Sequence, residues 1–176
     1  MNPEHGPVVE PGSEGKGRMK SLLFVPGSSN TIGICDEDSE DGFSIYDLNG
    51  KPVRHIKAHN VLIRKASVSP DGKKLAFSSS RYELNVLNIS DGSIDLVAKS
   101  DYGFIDDFCW HGNSKHIAYS FPESRSQSSI FIADADKLEI HRVTTAGYRD
   151  YSPSFDPKGR YLYYLSQRDL DRYMTR

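Results

Sequence analysis

"VSPDGKKLAFS" occupies Val68–Ser78, and its outline returns as "WHGNSKHIAYS" at Trp110–Ser120 and as "FDPKGRYLYYL" at Phe155–Leu165. The anchors Val68, Trp110 and Phe155 stand at intervals of 42 and 45 residues. A period of roughly 40–50 residues is that of β-propeller blades. Each copy opens on an apolar residue that ends a strand and then turns sharply, at Pro70-Asp71-Gly72, Gly112-Asn113-Ser114 and Pro157-Lys158-Gly159. Proline presets φ, Asp or Asn tolerates the bend, and glycine takes the positive φ that closes the hairpin. An alternating strand follows. Leu75 and Phe77 share one side, as do Ile117 and Tyr119, and Leu162 and Tyr164, with small or polar residues between them. That period is 2 rather than 3.6.

Two further strands complete each unit. "ELNVLNI" (Glu83–Ile89), the turn Ser90-Asp91-Gly92 and "SIDLVA" (Ser93–Ala98) are matched by "SIFIADA" (Ser129–Ala135) with "LEIHRV" (Leu138–Val143), and earlier by Gly42–Ile56. The expected fold is all-β: a partial β-propeller of about three to four blades of four-stranded antiparallel sheet. Residues 1–20, rich in Pro and Gly, read as a disordered leader or linker. A degenerate blade is expected over 21–60, blades over 62–100 and 104–145, and a half blade over 151–176. An open arc leaves sheet edges unpaired. The chain is therefore not expected to close the ring alone. The remainder of a longer polypeptide, or another copy of the chain, is the expected partner.

Composition narrows the function. The formal net charge of the 176 residues is −2, with 26% charged and 37% hydrophobic residues. Without a basic surplus there is little to neutralise a phosphate backbone, which argues against nucleic acid. No apolar run approaches the ~20 residues of a membrane-spanning helix. The N-terminus has no apolar signal segment. Cys35 and Cys109 lie far apart, as two buried free thiols of a reducing compartment would. A cytoplasmic location is the expectation.

Chemistry-bearing motifs are sparse. No G-x-S-x-G elbow is present. His55, His59, His111, His116 and His141 have no metal-ligand spacing, and read as surface or half-buried histidines. "CDEDSEDG" (Cys35–Gly42) has the oxygen ligands of a calcium loop, with Gly42 supplying a turn. Its glycine is seventh rather than sixth, and Asp47 stands where an EF-hand has Glu. A solvated acidic loop between strands fits it better. "PGSSNTIG" (Pro26–Gly33) lacks the lysine of a phosphate loop and reads as a turn. No cofactor or metal is expected.

The more specific signal is the C-terminal half. "SDYGFIDDFCWHGNSKHIAYS", "SSIFIADADKLEIHRVT" and above all "YRDYSPSFDPKGRYLYYLSQRD" resemble the second propeller of the tricorn protease family, over about Val61 to Asp169 and more weakly over Ser21 to Asn60. The turn-and-strand pattern alone also occurs in TolB-like proteins and in the propellers of prolyl oligopeptidases. A TolB-like or WD-repeat-like module for protein–protein contact is the alternative. The tricorn resemblance implies a large serine peptidase. Its propellers precede a PDZ domain and a catalytic domain, and are thought to admit peptides and release products. No residue of this chain matches the catalytic set, so the resemblance implies an inactive segment that guides or gates peptides or unfolded segments.

The loops leading into the innermost strands carry the candidate contacts: Arg64, Tyr102, Asp106, Asp107, Tyr148, Arg149, Asp150 and Tyr151. In propellers such loops ring one mouth of the central channel, and Tyr and Arg are favourable contact residues. Two readings stand. The set forms a peptide-contacting rim, or its Asp and Arg residues pair between neighbouring blades.

Overall fold

The computed structural model describes residues 18–37, 40–58 and 61–168. Among them are fourteen strands and no helix: β1 (Arg18–Phe24), β2 (Thr31–Glu37), β3 (Glu40–Tyr46), β4 (Pro52–Lys57), β5 (Ile63–Val68), β6 (Lys74–Ser79), β7 (Glu83–Asn88), β8 (Ile94–Lys99), β9 (Phe108–Trp110), β10 (His116–Pro122), β11 (Ser128–Asp134), β12 (Ile140–Arg142), β13 (Arg149–Phe155) and β14 (Leu162–Gln167). They form antiparallel blades β1–β4, β5–β8 and β9–β12, followed by the hairpin β13–β14. The hairpin joins the third blade through one parallel pairing, Ser128 with Arg149. This is the partial propeller that the repeat predicts. Its first strand takes in Arg18, Met19 and Lys20, which composition groups with the leader; the rest of the leader, and the last residues of the half blade, lie outside the described residues.

The turns follow their chemistry with one exception. Gly72 and Gly159 have φ of 72° and 67°, as their motifs require. In the middle copy the positive φ falls on Ser114, at 61°, and not on Gly112. Ser114 has a use there: its Oγ accepts the Asp71 N–H at 2.9 Å and ties one blade's turn to the next.

The alternation along the strands separates side chains by size rather than polarity. Leu75 and Phe77 are buried among Ile32, Ile34, Phe43 and Ile45 of the first blade. Ala76, on the opposite side of the same strand, is equally buried, against Phe108, Ile117 and Tyr119 of the third. A blade with a neighbour on each face has no solvated face. The Phe43 and Phe77 rings meet edge-on at 5.1 Å across the first interface. Leu162 and Tyr164 repeat the pattern but stay partly exposed, and β14 also exposes Tyr163 and Leu165.

Polar ties stitch the blades together at both outer and inner strands. Arg54 of β4 donates to the Ile89, Ser90 and Asp91 carbonyls. Trp110 Nε1 donates to the Ser67 carbonyl at 3.0 Å. The acidic stretch at Cys35–Gly42 does not form the loop that its composition suggests. Asp36 pairs with Asp41 and Glu37 with Glu40 in the β2–β3 ladder, so only Asp38 and Ser39 lie outside the described residues. Gly42 is within β3 rather than in a turn. Asp41 is buried, takes the Lys20 ammonium at 2.6 Å, and accepts the Ile63 N–H at 2.6 Å. It clasps the second blade to the first.

Candidate functional site

The innermost strands β1, β5, β9 and β13 run side by side, β1 near β5 and β9 near β13. The chain enters each from one end of the arc. The turns between second and third strands lie at that same end, as the bonds from Ser80 N to Leu62 O and from Ser120 N to Asp107 O show.

Three segments at that end enclose a cleft of about 310 Å³. The first wall is the loop from Ser100 to Asp107. Ser100 folds it: its Oγ accepts the Tyr102 N–H at 3.0 Å and donates to the Pro122 carbonyl at 2.8 Å. The second wall is the β10–β11 turn, residues 123–127. Its base is rigid because Arg142 pairs with Glu123, donates to Ser129 Oγ and lies over Phe131. The Arg142 hydrogen bond, helped by Ser129 against the opposing effect of burial, holds the Glu123 carboxyl below the usual range. At the tip, Ser124 Oγ accepts the Ser126 and Gln127 N–H groups. The third wall is the start of β13. Ser120 and Ser128 each donate from Oγ to the Asp150 carbonyl at 2.7 Å. All three walls are thus held by hydrogen bonds that do not involve a ligand.

Of the eight residues singled out by sequence, Tyr102, Asp106, Asp107, Arg149 and Tyr151 line this cleft. The other three do not. Arg64 sits behind Asp106, with Nε and Nη2 at 3.0 and 2.8 Å from Oδ2, and its guanidinium covers the Phe104 ring. This pair is a contact between blades. Tyr148 is exposed beside the Arg168 guanidinium. Asp150 is buried, and its Oδ1 has no hydrogen-bond partner among the described residues. The second wall is missing from the sequence-derived set. Its signal was length: five residues separate β10 from β11, against three between β6 and β7.

Other reactive groups are structural. Ser44 Oγ and His55 Nδ1 are 2.9 Å apart, but Ser44 is 2% exposed in mid-sheet, closed to a substrate carbonyl. His111 lies between Asn113 N–H and the Gly159 carbonyl, and His116 faces Asp134. His59 lies outside the described residues. Burial pushes the Cys109 thiol up, away from the reactive thiolate. Among the described residues no three His, Cys, Asp or Glu side chains gather as a metal site, and no helix is long and apolar enough to cross a membrane.

An open arc of four-stranded blades with a polar, prearranged cleft at the end where the inner strands begin defines a β-propeller module. The family of the tricorn protease second β-propeller domain matches residues 1–175, and the chain belongs to it. It is 38% identical over 171 residues to the tricorn protease homolog of Saccharolobus solfataricus, covering 97% of this chain and 15% of that protein. Identity is also 38% to the putative tricorn-like protease C-terminal subunit of Sulfurisphaera tokodaii, over 94% of this chain and 19% of the relative. The crystal structure of the tricorn protease superposes with a TM-score of 0.78 at 28% identity, over 88% of this chain and 16% of that one. The chain thus spans less than a fifth of the length of these relatives. A putative TolB from Agrobacterium tumefaciens, at TM-score 0.60 and 18% identity, shares the fold.

Proposed function

We propose that this propeller segment serves a tricorn-like serine peptidase without catalysing hydrolysis itself, by contacting peptides at the mouth of the propeller and guiding them toward a catalytic domain. The observation that carries this reading is the cleft: it draws together Tyr102 and Asp107 of one connecting loop with Arg149 and Tyr151 of the next inner strand, β13. Tyrosine offers contact area at low entropic cost, and hydrogen-bonded walls lower the cost of binding further.

The test is fluorescence anisotropy of labelled, unstructured peptides with the chain and with Tyr102→Ala and Tyr151→Ala. Binding weakened severalfold with an unchanged melting temperature is the expected result. Binding indifferent to both substitutions would sink the rim. Cleavage of those peptides by the isolated chain, abolished by replacing one of its serines, would overturn the non-catalytic assignment.

A further inference from the structure

The charges in the cleft do not balance. Asp106 is already neutralised by Arg64 at its Oδ2, and its Oδ1 accepts the Ser78 hydroxyl at 2.7 Å. Asp107 remains, in a lining that also holds two arginines, Arg125 at the tip of the β10–β11 turn and Arg149 at the start of β13. Neither arginine is in an ion pair among the described residues, and both are exposed. Arg149 lies 5.7 Å from the Tyr151 ring centroid, a contact that leaves its N–H groups available. The contrast with the rest of this end is informative. Arg64 and Arg142 each have a carboxylate of this chain, at Asp106 and Glu123. Where the protein uses arginine to build the walls it pairs it with a carboxylate; the two arginines lining the cleft are left without one among the described residues.

We infer that the cleft takes a peptide carboxylate, held by Arg125 and Arg149 with the adjoining residue against Tyr102 or Tyr151. This rests on the proposed peptide-contacting role and names the chemical group recognised. Guanidinium is the side chain suited to it: planar, always charged, and able to donate two parallel hydrogen bonds to one carboxylate. The charge comes either from the peptide's C-terminus or from an Asp or Glu side chain; the chemistry is the same.

Three fluorescein-labelled Ala/Tyr pentapeptides separate the sources: one with a free C-terminal carboxylate, one amidated, and one amidated with a central Glu. Each is titrated against the full chain and against Arg125→Ala/Arg149→Ala and Tyr102→Ala. At low salt the free acid or the Glu peptide is expected to bind at least tenfold more tightly than the plain amide. The double arginine variant should abolish that preference while retaining the binding of the amide, and added salt should narrow it. The preferred carboxylate identifies the source. Equal binding of all three peptides by the full chain, still weakened by Tyr102→Ala, would overturn the carboxylate assignment and leave the rim intact. No binding of any peptide would overturn both.

Discussion

Arg64 and Asp106 are 42 residues apart, the interval between the first two copies of the turn motif, and they grip each other across the blade boundary with Arg64 Nε and Nη2 at 3.0 and 2.8 Å from Oδ2. The two positions are equivalent in consecutive blades, and the pair bridges the boundary between them. Arg64 is 41% and Asp106 35% exposed at the side chain, so the pair itself is worth no more than about 1 kcal/mol. The guanidinium over Phe104 adds about 0.5–1 kcal/mol. Arg64→Ala is expected to lower the melting temperature by about 2–6 °C, at roughly 2–4 °C per kcal/mol for a chain of this size. A double-mutant cycle with Asp106→Ala, read by thermal unfolding, checks it; additive effects would show that the pair does not couple.

Asp41 is the heavier electrostatic tie. Asp41→Ala leaves the Ile63 N–H without its acceptor and removes the Lys20 contact, at a cost of about 1–3 kcal/mol. Asp41→Asn keeps an acceptor for Ile63 and should recover part of the loss. The readout is the urea midpoint, provided the slope is unchanged.

The first blade interface depends on Phe43 and Phe77, which are 0% and 1% exposed. Phe77→Ala should cost about 3–5 kcal/mol, and Phe77→Leu markedly less because it retains most of the volume. A loss below 1 kcal/mol on chemical denaturation would mean that the two blades do not share a packed core.

Gly159 links the final hairpin to the third blade. Its φ of 67° already favours glycine, and an added Cβ would collide with the His111 ring, whose Nε2 bonds to the Gly159 carbonyl at 2.9 Å. Gly159→Ala should therefore loosen β13–β14 selectively. Hydrogen exchange is expected to accelerate over residues 149–167 while β6 and β7 keep their protection. Uniform acceleration would show that the hairpin and the blades open as one unit.

Acid should unfasten the cleft's second wall. The folded carboxyl of Glu123 titrates below its ordinary value, mainly through the Arg142 hydrogen bond. Its stabilisation is present in full above the unfolded pKa and is lost as pH falls through the depressed folded one. Thermal stability of the chain should fall below about pH 4.5, and that part of the fall should vanish in Glu123→Gln. An identical acid profile in the variant would assign the effect to other carboxylates.

Much of the architecture was legible from the residues because its determinants are local. Pro-Asp-Gly and Pro-Lys-Gly dictate their own turns, and a period of 2 dictates strands whatever surrounds them. The 42- and 45-residue intervals then imply blades. Tertiary structure decided what lies across the repeat. It made Asp41 a clasp rather than part of a loop, placed the positive φ on Ser114, and set Arg64 behind Asp106 instead of in the cleft. It also put Arg125 and Arg149 in the lining of one cleft, although they belong to different blades. Local sequence carries the preferences of a turn or strand. Which side chain finds a partner depends on the stacking and stagger of neighbouring blades, and no single repeat contains that information.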